Sequence, residues 1–200
     1  MRALVINCTL KPSPQACATE ALTDTVITAL QGHGVDVGVV RAVDLSLEPG
    51  VGTDRGDGGD WPAVHAGLTA ARILVIASPI WLGRPSSVAR RVLERMDAMR
   101  GESDGEGRPV AFNRVAGVLV TGHESAAHHV VSEISGALGD IGYTIPGQAW
   151  AYGHLRPGHG RDRLDERGQG WSVSTGRAMA SNLVHAARAL AERPVPAPPS

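Results

Sequence analysis

The chain has 200 residues, 42% of them hydrophobic, a length and composition that suit one α/β domain with a full core and give no sign of a second. A formal net charge of -1, with dispersed basic residues of which only Lys11 is a lysine, gives no footing for nucleic-acid binding. The two cysteines, Cys8 and Cys17, show neither CxxC nor a Cys/His metal spacing, and no apolar run approaches the roughly 20 residues of a membrane span.

Met1 runs straight into a strand pattern, which leaves no room for a signal peptide and makes a cytoplasmic location the expectation. Residues 2–7 read as the first strand. Residues 8–18 form a polar, Pro-containing loop, and the spacing of Leu22, Val26 and Leu30 predicts a helix over 19–30. Gly32 and Gly34 stop that helix, and residues 35–43 alternate as a second strand. Residues 44–61 make a long Gly/Asp loop, a length that marks a functional or mobile connection rather than filler. Pro62 opens a short helix to residue 71. The apolar run 73–77 reads as a strand buried on both faces, as in parallel sheets. Pro79 and Pro85 keep residues 78–85 irregular, and Ser86 or Ser87 caps a helix in which Val88, Val92, Met96 and Met99 share a face.

A charged excursion at 101–108 precedes a fourth strand at 115–121 and a helix to residue 141, with Val130, Ile134, Leu138 and Ile141 on its buried stripe. A last short strand is expected at 143–145, residues 152–170 read as loop, and Ser172 or Ser174 starts a final helix through Leu190. Residues 1–193 then form a single domain, and 194–200 a disordered tail. Alternating buried strands and amphipathic helices predict a three-layer α/β sandwich around a five-stranded parallel sheet, with right-handed crossovers. With the first and third strands adjacent, the order is 2-1-3-4-5, the flavodoxin-like order.

In open sheets of this kind, ligands bind outside the carboxyl ends of the strands. Three loops leave those ends after strands one, three and four: 8–18, 78–85 and 121–125. The first supplies hydroxyls from Thr9, Ser13 and Thr19, a cation from Lys11, and unsatisfied N–H groups at Ala18 and Thr19 where the helix begins. Such an end favours phosphate through donor geometry and helix dipole. Alone, that loop supports a capped connector equally well; the other two loops, pointing the same way, favour phosphate. Neither the Rossmann nor the Walker glycine pattern occurs.

The second loop offers Trp81 as a wall for a flat aromatic ligand and close backbone approach at Gly83, although such a Trp also commonly anchors a helix or a subunit contact. The third, Thr121-Gly122-His123, with His128 and His129 beyond it, can meet a ligand's polar edge; an isolated His pair is more often structural or solvated. No metal is expected, because adjacent helical side chains diverge and no third ligand is suitably spaced. His154, His159, Asp57 and Asp60 read chiefly as solvated surface, with a nicotinamide-phosphate contact the minority reading of the two histidines. With no base placed beside Cys8 or Cys17, hydrolase chemistry is disfavoured.

Taken together, Cys8-Thr9-Leu10-Lys11-Pro12-Ser13-Pro14, Ser78-Pro79-Ile80-Trp81-Leu82-Gly83-Arg84-Pro85-Ser86-Ser87 and Thr121-Gly122-His123-Glu124-Ser125-Ala126-Ala127-His128-His129 resemble the flavodoxin-like NAD(P)H-dependent FMN reductase family. The resemblance runs through nearly the whole chain. It implies an FMN phosphate near Thr9, Lys11, Cys17, Ala18 and Thr19, and an isoalloxazine ring against Pro79, Ile80, Trp81, Leu82 and Gly83. It places the ring's polar edge at Thr121, Gly122, His123 and His128. It further implies NADPH or NADH as hydride donor, a small-molecule electron acceptor such as a flavin or quinone, and a homodimer or homotetramer, with no catalytic side chain assigned.

Two stretches depart from the family pattern: Cys17-Ala18-Thr19 stands where relatives show Ser-Asn-Thr, and His123 where they show Asn. A lost hydrogen bond to a charged group costs roughly 1.5–3 kcal/mol, or about one to two powers of ten in affinity. Weak FMN binding, a shuttled flavin and a flavin-free scaffold therefore stand as alternatives. An electron-transfer flavodoxin is disfavoured, since such carriers are usually strongly acidic.

Overall fold

A computed structural model describes residues 1–52, 59–122, 126–154 and 166–197, the side chains of 166–169 excepted. In chain order the described elements are β1 (Arg2–Asn7), α1 (Ala18–Gly32), β2 (Asp36–Arg41), α2 (Trp61–Ala70), β3 (Ile73–Trp81) and β4 (Arg84–Pro85). There follow α3 (Ser87–Met96), β5 (Val115–Gly122), α4 (Ala127–Ile141), β6 (Trp150–His154) and α5 (Glu166–Glu192). Five strands run parallel in the order β2-β1-β3-β5-β6, and β4 pairs antiparallel with the end of β3. The expected doubly wound order is realised, with the short β4 added.

Period-two alternation assigns the two faces. Leu4, Ile6, Leu74, Ile76, Val118 and Val120 meet α2, α3 and α4 on one side. Ala3, Val5, Ile73, Val75 and Leu119 meet α1 and α5 on the other. Each fully buried aliphatic side chain contributes about 1.5–3 kcal/mol, so the parallel strands are held from both sides. Gly117 sits where α5 lies closest. A Cβ there would come 2.8 Å from the Ala149 carbonyl and 2.5 Å from Met179 Cε.

Three sequence expectations are corrected. The fifth parallel strand is Trp150–His154, not 143–145, which touches the sheet only through an isolated bridge between Val115 and Thr144. Gly142, at φ 114°, turns the chain out of α4, and the sheet is rejoined only after Pro146 and Gly147. The last helix begins at Glu166, ahead of the serines expected to cap it; Ser172 instead donates from Oγ to the Tyr152 carbonyl at 2.9 Å, on the outer edge of β6. Residues 78–81, expected as loop, prolong β3. Pro79 is tolerated there because β1 ends opposite Ala77, so no ladder donor is wanted on that side.

Just before β5, Asn113 Oδ1 accepts from Val195 N at 2.6 Å and its Nδ2 donates to Val195 O at 3.2 Å, tying the end of the described chain to the sheet.

Candidate functional site

The loop after β1 is held from both ends. Cys8 N continues the ladder to Ala77 O at 2.7 Å, Thr9 N donates to Asn7 Oδ1 at 3.0 Å, and Lys11 N donates to Thr9 Oγ1 at 3.3 Å. Further along, Arg41 at the end of β2 clamps the loop from beside it. Its guanidinium donates to Lys11 O at 3.0 Å and Gln15 O at 2.5 Å, lies 3.8 Å from Cys17 Sγ, and pairs with Glu20 at 3.4 Å. Asp44 accepts from Ser13 N at 2.9 Å and from Ser13 Oγ at 2.5 Å. Those bonds, the side-chain one foremost, hold the Asp44 carboxyl below the usual carboxylate range. Neither Arg41 nor Asp44 stood out in the sequence; the only available signal was that β2 must end beside β1.

The loop delivers the chain to the N-terminus of α1. Cys17 is the N-cap residue, extended at φ -145°, and no side chain caps the helix. Ala18 and Thr19 are buried, so first-turn N–H donors sit in a recess rather than in bulk water. Thr19 Oγ1 and Thr121 Oγ1 are 2.8 Å apart, which joins the first loop to the end of β5. Two hydroxyls carry two protons and one bond between them uses one, leaving a proton for a further acceptor.

The second loop is a two-residue hairpin. Trp81 pairs with Arg84, and the central residues Leu82 and Gly83 have φ of 49° and 76°, the left-handed conformation that tight hairpins require. Ser86 Oγ donates to Cys8 O at 2.7 Å and accepts from Ala89 N at 3.0 Å, so one hydroxyl caps α3 and fastens the hairpin's base to the first loop. Pro79 and Ile80 are half-buried, whereas Trp81 is 56% and Leu82 91% exposed. The close approach lies between hairpin and β5: a Cβ on Gly122 would fall 2.7 Å from Ile80 Cβ.

Thr121 is buried and in register with Pro79, so all three loops meet at one rim. His123 lies outside the described residues, and so do Asp57 and His159. His128, on the first turn of α4, is exposed and lies edge-on to Trp150, ring centroids 5.2 Å apart. His129 contacts Glu133, which also pairs with Arg84 at 3.2 Å. An aromatic group on β6 and α5 lies beside them: Trp171 is edge-on to Trp150 and Tyr152, and Tyr152 to His154. Reading 152–170 as loop concealed it. Cys8 is fully buried, and burial pushes its thiol far above the usual range, which leaves no thiolate for nucleophilic chemistry. Among the described residues no His, Cys, Asp or Glu cluster could hold a metal, and no helix is long and apolar enough to cross a membrane.

Comparison with known proteins identifies this arrangement. The family model for NADPH-dependent FMN reductase matches residues 1–154. The chain belongs to the NADPH-dependent FMN reductase family. It is 32% identical, over 97% of its length and 80% of the relative's, to 8-demethyl-8-aminoriboflavin-5′-phosphate synthase of Streptomyces davaonensis. It is 36% identical over 198 residues to a protein of Mycobacterium bovis named divalent metal cation transporter MntH. That match covers 95% of this chain but spans only 29% of the relative. A crystal structure of RosB with the bound intermediate 8-demethyl-8-formylriboflavin-5′-phosphate superposes with TM-score 0.86 at 32% identity, covering 98% of this chain and 82% of that one.

The family's flavin mononucleotide can be tested against the residues present. Its phosphate needs donors, and the carboxylate in the first turn of α1, Glu20, is paired with Arg41 at 3.4 Å. The uncapped start of α1, the spare proton of the Thr19–Thr121 pair and the loop held by Arg41 meet that need. Its ring needs an apolar wall with polar groups at one end, and Pro79 to Gly83 beside Thr121 and Gly122 offer both. The residues fit the group.

Proposed function

We propose that this chain binds FMN at the carboxyl rim of its sheet and works as an oxidoreductase, taking a hydride from NADPH or NADH and passing reducing equivalents to a small-molecule acceptor. The observation that carries the reading is the Thr19–Thr121 hydrogen bond of 2.8 Å, which sets an uncapped helix N-terminus against the loop that would meet the ring. Bound flavin supplies the hydride chemistry, and the protein's part is position and electrostatics. Ala18, Thr19 and, through the ordered loop, Thr9 and Lys11 hold the phosphate. Pro79, Ile80, Trp81, Leu82 and Gly83 flank the ring, and Thr121, Gly122, His123 and His128 serve its polar edge. Arg41 and Ser86 keep the first loop in place without touching the flavin. No side chain need act as acid or base. A homodimer or homotetramer is part of the same reading, with the exposed Trp81 and Leu82 as the apolar surface a second copy would cover.

A second reading is favoured by the match to a synthase of a modified flavin phosphate: the flavin is itself the substrate and leaves after its ring is altered. The uncapped Cys17 position, lacking the hydroxyl of relatives, suits a ligand that must depart.

One anaerobic experiment addresses both readings. Purified protein is mixed with FMN and then NADPH, its visible flavin absorbance is followed, and the flavin is recovered and weighed by mass spectrometry. Bleaching with unchanged flavin mass supports the reductase, and a changed mass supports flavin modification. Failure to bind FMN at all removes both and leaves a scaffold that has lost its cofactor.

A further inference from the structure

The start of α1 carries its own rival to a phosphate. Counted from Cys17 as the N-cap residue, Glu20 is the third residue of the helix. A glutamate at that position commonly folds back to accept from the N-cap N–H, where the helix dipole also favours its charge. Glu20 does not fold back. Among the described residues its hydrogen bond is to Arg41, whose Nη1 donates to Oε1 at 3.4 Å.

The sheet puts Arg41 within reach of that carboxylate. Arg41 is the last residue of β2 and in register with Asn7, the last of β1, so it stands level with the loop that leaves β1. Its Nε donates to Lys11 O at 3.0 Å and its Nη2 to Gln15 O at 2.5 Å. The same Nη2 lies 3.8 Å from Cys17 Sγ, which places the guanidinium beside the N-cap itself. Two loop carbonyls fix the plane of the fork, and its remaining arm draws Glu20 toward β2. The Arg41 side chain is only 12% exposed, so salt screens the pair less than it would a surface pair.

One guanidinium thus gathers the acceptors around the helix start, two carbonyls of the loop and the carboxylate of the first turn. Donors are left: the first-turn N–H groups and the spare proton of the Thr19–Thr121 pair.

We propose that Arg41 is the positioning residue that withholds Glu20 from the start of α1 and so keeps that start open to the phosphate of FMN. The proposal rests on the flavin reading above and gives that site its preference for a phosphorylated flavin over the bare one. Without Arg41, the Glu20 carboxylate returns to the N-cap and meets the phosphate there as a like charge.

Two measurements test it. Dissociation constants for FMN and riboflavin, taken as a ratio, read the phosphate-dependent part of binding. The pH dependence of the Cys17 amide-proton shift in the flavin-free protein reads whether a carboxylate sits on the N-cap. Arg41→Gln is expected to bind FMN about tenfold more weakly with riboflavin affinity unchanged. Adding Glu20→Ala to that variant is expected to recover most of the loss. A guanidinium that merely braced the loop would show no recovery, since removing Glu20 restores no bond to the loop. In Arg41→Gln the Cys17 amide is expected to move downfield as a carboxylate ionises, and Glu20→Ala to abolish the movement. A wild-type ratio in Arg41→Gln overturns the proposal, as does a double variant no better than Arg41→Gln. In both cases the wild-type protein still prefers FMN, and the flavin reading survives. A wild-type protein that binds FMN no more tightly than riboflavin removes the phosphate site, and the proposal with it. If Arg41→Gln does not fold, the wild-type protein and Glu20→Ala decide: matching Cys17 amide profiles support the proposal, and a downfield movement lost in Glu20→Ala puts Glu20 on the N-cap already and overturns it.

Discussion

Asp44 fastens the first loop through two bonds from Ser13, and those bonds give the loop a pH dependence. The folded carboxyl is more acidic than the unfolded one. Its contribution is complete above the ordinary aspartate range, about pH 4, and declines as pH falls through the depressed folded value. Ser13→Ala, which removes the leading bond, is expected to lower thermal stability at neutral pH and to flatten the acid limb, so that the two proteins converge at the lowest pH; melting curves from neutral pH through the acid range check this. At Cys17-Ala18 the uncapped helix start makes the opposite kind of prediction. Cys17→Ser with Ala18→Asn adds a hydroxyl and an amide where a phosphate would lie, and FMN affinity is expected to rise about ten- to a hundredfold. Equal affinity in titrations of the two proteins would mean that main-chain donors suffice. The hydroxyls and Lys11 were legible in the sequence because their types speak for themselves. Arg41 and Asp44 were not, because their role depends on a neighbouring strand ending at the same height.

The hairpin shows how far element-level reading reaches. Its prolines announced an interruption, yet Pro79 lies in β3, because a proline is excluded from a strand only where a neighbour requires its N–H. β6 was missed for the complementary reason: Trp150, Tyr152 and His154 alternate with Ala151 and Gly153, a pattern short enough to pass for the start of a Gly- and His-rich loop. The helices, by contrast, follow their four-residue stripes, since burial against a sheet enforces that spacing. Leu82 is the element's weak point, a left-handed non-glycine residue whose side chain is 91% exposed. Leu82→Asn removes a conformational cost without removing packing, and is expected to raise stability by about 0.5–1 kcal/mol. A higher urea midpoint at constant slope is the supporting result. Gly117→Ala should do the reverse. Met179 can swing away from a new methyl group, but the Ala149 carbonyl 2.8 Å off belongs to the backbone, and the expected loss is about 1–3 kcal/mol.

At the scale of the whole molecule, the order β2-β1-β3-β5-β6 makes one rim out of loops far apart in sequence, and side-chain bonds across 78 and 102 residues lock it. That convergence was legible before any coordinates, because alternating strands and helices permit few other topologies; the bonds that fix its dimensions were not. A site shared by three loops couples ligand binding to global stability. FMN at about a hundred times its Kd adds about 2.7 kcal/mol to the native state. For a chain of this size that corresponds to a Tm rise of about 5–11 °C. Riboflavin supplied at the same concentration lacks the phosphate that the start of α1 would hold, so its shift should be smaller by several degrees. Equal shifts would place the binding energy in the ring alone and leave the helix N-terminus a capped connector. Inorganic phosphate at high concentration should compete with FMN and leave riboflavin's shift intact, since only the first of the two occupies the recess joined by Thr19 and Thr121.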